Sequence, residues 1–126
     1  MVVYQKRSRR KVSGGRYISS EKKRLANMGS LPTLTKVGET KIKQKREIGG
    51  NLKSVLLSAN KVNVIDPKTK KGKVIEISKV IESPANRHFI RRNIITKGSV
   101  VETKLGKVKI TSRPGQEGTL NGVLIQ

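Results

Sequence analysis

Cysteine and tryptophan are missing from this chain of 126 residues, histidine occurs once, and acidic residues number only 8. Without cysteine there is neither a disulfide nor a thiolate metal ligand, as in proteins of a reducing compartment. The acids stand far apart, at Glu21, Glu39, Glu47, Asp66, Glu76, Glu82, Glu102 and Glu117, so the sequence offers no carboxylate pair for acid–base work. With His88 as the lone imidazole, no metal-ligating set can be drawn either, and beside its arginine neighbours it reads as a surface or packing residue. Nucleophile-elbow, phosphate-loop and dinucleotide fingerprints are absent as well. The expectation is no catalysis, no metal, no cofactor and no small-molecule substrate.

Long apolar runs are also lacking. Val55 to Leu57 and Val123 to Ile125 are short stretches, far below the roughly 20 residues that cross a bilayer. The opening MVVYQKRSRR has no apolar signal core. A soluble, cytoplasmic protein without a membrane partner is expected. Aromatics are confined to Tyr4, Tyr17 and Phe89, too scattered to form the stacking surface on which readers of single-stranded bases rely.

What is abundant is positive charge. The chain carries 29 Lys+Arg against those 8 acids, a net charge of +21. Self-repulsion on this scale opposes compaction, and a polyanionic partner that neutralises it, nucleic acid above all, accounts for it most simply. With few rings available, such a partner would be held by its backbone and shape rather than by its bases.

The chain changes character near Gly49-Gly50, which reads as a hinge. Residues 1–50 are expected to be a basic extension, poor in apolar residues and largely disordered without RNA. Residues 51–126 hold most of the valine and isoleucine and are expected to fold as a β-barrel domain. Strand signals recur in SVLLSAN, VNVI, KVIEISKVIE (whose apolar pairs suggest a twisted strand or a bulge near Ser78-Lys79), SVVETK, GKVKITS (with Val108 and Ile110 on one face) and TLNGVLIQ. DPKTKKG reads as a hairpin loop, and a second hairpin should turn at Leu105-Gly106. The predicted fold is therefore mainly β, a small closed or partly open barrel of about six strands preceded by an extended basic segment. One short helix is predicted in SPANRHFIRR, with Ser83 as its cap and Pro84 opening it. Helix punctuation also marks SSEKKRLANMG, from a serine cap to Gly29.

The candidate RNA-binding residues follow from this layout. In KRSRRKVSGGR they are Lys6, Arg7, Arg9, Arg10, Lys11 and Arg16, with Gly14 and Gly15 allowing sharp turns or close backbone approach. A solvated tail or a localisation signal are the plainer readings of that run. Lys22, Lys23 and Arg24 continue it, and Lys41, Lys43 and Lys45 would share one side of an extended segment. Arg87, Arg91 and Arg92 would cluster on the short helix. Arg113 sits in SRPGQEG, either simply exposed or presented to phosphate together with backbone amides of a rigid loop.

The ordered set KVSGGR with EKKR and NMG, IGGNLK, SPANRHFIRRNIITKG and TSRPGQEGTLNG resembles the S-eight-e family of small-subunit ribosomal proteins nearly end to end, in its archaeal form. The resemblance implies a β-barrel with an extended N-terminal part, contacts with small-subunit rRNA and neighbouring ribosomal proteins, and a structural role in the ribosome. The isolated protein is expected to be monomeric. A non-selective nucleic-acid coating protein, an rRNA-processing enzyme and a module for acidic proteins are the rival readings.

Overall fold

Alternate valines and isoleucines of the second half of the chain form the core of a unit built on a closed five-stranded barrel. A computed structural model describes residues 3–22 and 24–125, and the chain divides into two units, Met1–Pro32 and Thr33–Gln126. The boundary expected at 50/51 falls inside the second unit, in the turn between two paired strands.

The first unit contains β1 (Val3–Tyr4) and β2 (Met28–Gly29), paired antiparallel with Tyr4 opposite Met28. Among the described residues of 19–29 the predicted helix does not form; a 3-10 turn at Leu25–Asn27 leads into β2. The segment offers no apolar stripe to bury. Its cations also fall near the helix N-terminus, where the backbone dipole disfavours positive charge.

The second unit runs β3 (Lys36–Val37), β4 (Lys41–Arg46), β5 (Leu52–Ala59), β6 (Lys61–Ile65), β7 (Gly72–Glu82), α1 (His88–Arg91), β8 (Val100–Thr103), β9 (Gly106–Ile110) and β10 (Asn121–Leu124). Strands β6 to β10 form the barrel in the order β10-β6-β7-β8-β9. Of the six strand signals, five enter it; SVLLSAN becomes β5, the centre of a separate sheet ordered β3-β5-β4.

Alternation explains the interior. In β6, Val62 and Val64 are buried between exposed Lys61, Asn63 and Ile65; in β9, Val108 and Ile110 are buried between exposed Lys107, Lys109 and Thr111. They pack with Leu56, Ala59, Ile77, Val80, Ile95, Val101 and Leu120 in one cluster. β7 pairs with β6 through its first half and with β8 through its second, and its register shifts between Ile77 and Lys79. That irregularity lies at the expected bulge and bends the strand around the barrel. The β6–β7 loop is fastened by Asp66, whose carboxylate accepts the Lys68 backbone N–H and the Thr69 hydroxyl, each at 2.9 Å.

β10 closes the barrel, antiparallel to β9 and parallel to β6. The approach at Gly122 is close enough to require glycine: a Cβ there would lie 2.5 Å from Val108 Cγ1 and 3.0 Å from the Lys109 carbonyl oxygen. Buried Thr35 ties the smaller sheet down, its hydroxyl donating to the Leu56 carbonyl (2.7 Å) and its own carbonyl accepting from Ile95 N–H (2.8 Å).

Candidate nucleic-acid interface

The basic run near the N-terminus closes into a loop. Tyr17 N–H donates to the Arg9 carbonyl at 2.8 Å, Lys11 N–H to Gly15 at 2.7 Å and Gly14 N–H to Lys11 at 3.0 Å. Gly14 turns the chain at φ +85°, a conformation L side chains rarely adopt, and nothing lies within 4 Å of where its Cβ would be. The closure sets Arg10 directly opposite Arg16 in an isolated antiparallel bridge. Like charges facing each other across a strand pair are destabilising. The Arg10 guanidinium also donates to the Gly14 carbonyl at 3.3 Å. Lys6 pairs with Glu21, and that hydrogen-bonded carboxylate raises the Lys6 pKa above its ordinary value.

A second group lies on β4, an edge strand of its sheet. Lys41, Lys43 and Lys45 occupy alternate positions along it, so they share one side. The strand turns back into β5 through Ile48–Gly50, where Gly49 and Gly50 have φ of +78° and +80°. IGGN is thus a hairpin turn rather than a hinge. It brings Lys53 opposite Lys45, adding a cation that the sequence reading did not include; Lys53 reaches Glu47 at 3.1 Å. Lysines along an exposed edge also discourage pairing with foreign strands.

The third group surrounds α1. Its start is set by Asn86, whose side-chain oxygen accepts from His88 N–H at 2.9 Å. The expected cap does not serve: Ser83 is buried and its hydroxyl has no partner. Pro84 therefore precedes the helix instead of opening it. Arg87 still has helical backbone angles (φ −56°, ψ −31°), so Arg87 and Arg91, four residues apart, share a face. Arg92 follows at the C-terminal cap. After them Ile94 and Ile95 are fully buried, and Ile94 N–H donates to the Phe89 carbonyl at 3.0 Å, which anchors the segment. Arg113 is exposed on a tight turn in which Gln116 and Glu117 N–H both donate to its carbonyl, at 2.8 and 2.9 Å. Those two amides are already satisfied, which leaves the guanidinium as the group this turn presents.

The family model described as Ribosomal protein S8e matches residues 4–125. The chain belongs to the ribosomal protein S8e family. It is 49% identical over 125 residues to a small ribosomal subunit protein eS8 from Methanobrevibacter smithii, covering 99% of this chain and 100% of that protein. The protein of the same name from Methanococcus aeolicus is 50% identical over 126 residues, covering 99% of this chain and 98% of the relative. That of Nanoarchaeum equitans is 51% identical over 123 residues, covering 98% and 97%. The resemblance drawn from the four motifs therefore holds over nearly the whole chain.

In this S8e chain every described candidate residue is exposed except Lys45, which is half-buried. Lys23 lies outside the described residues. The candidates form separate groups: the loop with Lys6, Arg7, Arg9, Arg10, Lys11, Gly14, Gly15 and Arg16, with Lys22 and Arg24 after it; the β4 comb; the α1 arginines; and Arg113. Among the described residues there are three ion pairs, Lys6–Glu21, Lys53–Glu47 and Lys79–Glu102, set against a net charge of +21. Among those residues no group of three histidines, cysteines or acids comes together that could hold a metal ion.

Proposed function

We propose that the chain is a structural constituent of the small subunit of the cytoplasmic ribosome, binding folded rRNA chiefly through its phosphate backbone and touching neighbouring ribosomal proteins. Residues 1–32 would act as an arm on the RNA, and residues 33–126 as the body that carries the β4, α1 and Arg113 groups. Family membership supports the ribosomal setting, since the relatives named above are small ribosomal subunit proteins.

The observation that carries the RNA reading is the Arg10–Arg16 bridge. Backbone hydrogen bonds set these two residues opposite each other, and like charges at such a pair disfavour each other in the free protein. A phosphate oxygen between them converts that repulsion into two charge-assisted contacts. The β4 lysines, the α1 arginines and Arg113 extend the same chemistry. Their contacts would release condensed counterions, so binding should weaken steeply with salt.

Sedimentation of a cell extract at low and high salt tests the reading. The protein is expected to stay with small subunits through a high-salt wash. Release to the top of the gradient, or migration with DNA, would refute the structural ribosomal role and favour a loosely bound coating protein.

A further inference from the structure

Two of the chain's three aromatic residues, thirteen positions apart, line one cavity. Tyr4 is held by the β1–β2 pairing and Tyr17 by its hydrogen bond to Arg9. Both border a solvent-open cavity of about 100 Å³ together with Lys6, Arg7, Arg9 and Glu21. The Arg7 guanidinium lies 4.1 Å from the Tyr17 ring centroid and that of Arg9 lies 5.4 Å from the Tyr4 centroid. An enclosed cavity of roughly 150 Å³ admits benzene. A smaller cavity with an open mouth has room for the leading part of one planar ring and no room for a helix or a strand.

We propose that this Tyr4–Tyr17 cavity receives a single unpaired base of the bound RNA, so that the N-terminal unit reads one splayed nucleotide as well as phosphates. The proposal rests on the RNA-binding function argued above. Phenol rings and guanidinium planes are the surfaces on which unstacked RNA bases lie. The carboxylate of Glu21, already held by Lys6, is an acceptor at the cavity for a base amino group. Arg10, Lys11 and Arg16, on the adjoining loop, supply cations for the phosphates of the nucleotide that carries the base. A free apolar ligand would have no use for that charge, whereas a base on a phosphate backbone uses both the rings and the cations of the site.

The chain has no tryptophan and two tyrosines, both at this cavity, so the intrinsic tyrosine emission of the full-length protein reports on it alone. The probes are two RNA hairpins with the same number of phosphates, one fully paired and one with a single bulged adenosine. The bulged hairpin is expected to bind more tightly and to change tyrosine emission more at saturation. Tyr17→Ala should weaken its binding about 5- to 150-fold, the range of one base–aromatic stack, and leave the paired hairpin unchanged. Tyr17→Phe should restore it. Equal binding of the two hairpins, or equal loss for both in Tyr17→Ala, would overturn the base pocket while leaving phosphate binding intact. Failure of the unaltered protein to bind either hairpin would instead refute RNA binding itself. A 4-thiouridine in the bulge, photo-crosslinked to the unaltered protein, should attach to peptides containing Tyr4 or Tyr17, and attachment only elsewhere would refute the pocket without depending on any variant.

Discussion

Neutralising the arginines around α1 should change the salt dependence of rRNA binding by a calculable amount. Arg87, Arg91 and Arg92 are exposed, and none belongs to an ion pair among the described residues. Replacing all three by glutamine should leave the fold intact, since surface substitutions of this kind stay within about 0.5 kcal/mol each. If each arginine meets a phosphate, each contributes about 0.7–0.9 to the slope of log K against log salt. The triple variant should then lose roughly 2–3 from that slope. Between 50 and 200 mM salt, its affinity should fall about 20- to 40-fold less than that of the unaltered protein. Fluorescence anisotropy with small-subunit rRNA over a salt series measures both slopes. Removing the same number of charges from the β6–β7 loop, by Lys68, Lys70 and Lys71→Gln, is the control. An unchanged slope in the arginine variant would refute contact by α1. An equal loss in the control would show that net charge, rather than this patch, sets the binding.

The remaining predictions concern the arm and the barrel. Deleting residues 1–16 should leave the barrel's thermal transition in place while lowering rRNA affinity and salt slope; unchanged binding would remove the arm from the interface. Gly122→Ala drives a methyl group into Val108 and the Lys109 carbonyl, and overpacking of this kind costs about 1–3 kcal/mol. For a unit of this size that lowers the melting temperature by roughly 4–24 °C. Gly72→Ala, with nothing near its Cβ position, should shift it far less, as melting followed by circular dichroism would reveal. The hydrogen bonds from Lys68 N–H and Thr69 hold the Asp66 carboxyl below its ordinary pKa of 3.8. Its contribution is therefore present above that value and lost as pH falls through the lower folded-state pKa. The stability gap between the unaltered protein and Asp66→Asn should accordingly close in acid, and a gap independent of pH would contradict the assignment.

The parts of the fold legible in the sequence were those written in local patterns. The valine alternation of β6, the Val108/Ile110 face of β9 and the irregularity in β7 all follow from period-two burial and turn chemistry, and the hairpin turn expected at Leu105-Gly106 forms one residue earlier, at Lys104-Leu105, with Gly106 already paired to Thr103. Partnerships at a distance left no such mark. Nothing in SVLLSAN says that β5 leaves the barrel to pair with β3 and β4, because its partners are a lysine-rich strand and a two-residue segment. The apparent helix at 19–29 shows capping residues without a face to bury. The cations of the candidate interface could be named one by one because charge density needs no fold. The facing of Arg10 with Arg16, and of Lys45 with Lys53, needed the turns closed around Gly14 and Gly49-Gly50. Tyr4 and Tyr17 looked scattered for the same reason: their common cavity depends on the β1–β2 pairing and the loop closure at Arg9.

The parallel seam between β6 and β10 has a bearing on how the chain is made. Asn63 and Asn121, joined by a side-chain hydrogen bond at 3.0 Å, are 58 residues apart in sequence, so closure must await nearly the last strand to be synthesised. Until then β6 and β9 are bare edges, with their backbone groups open to foreign strands. The nascent chain meanwhile exposes its most cationic segment first. If that segment holds RNA as proposed, an early hold would keep such chains apart from one another while the seam is still missing.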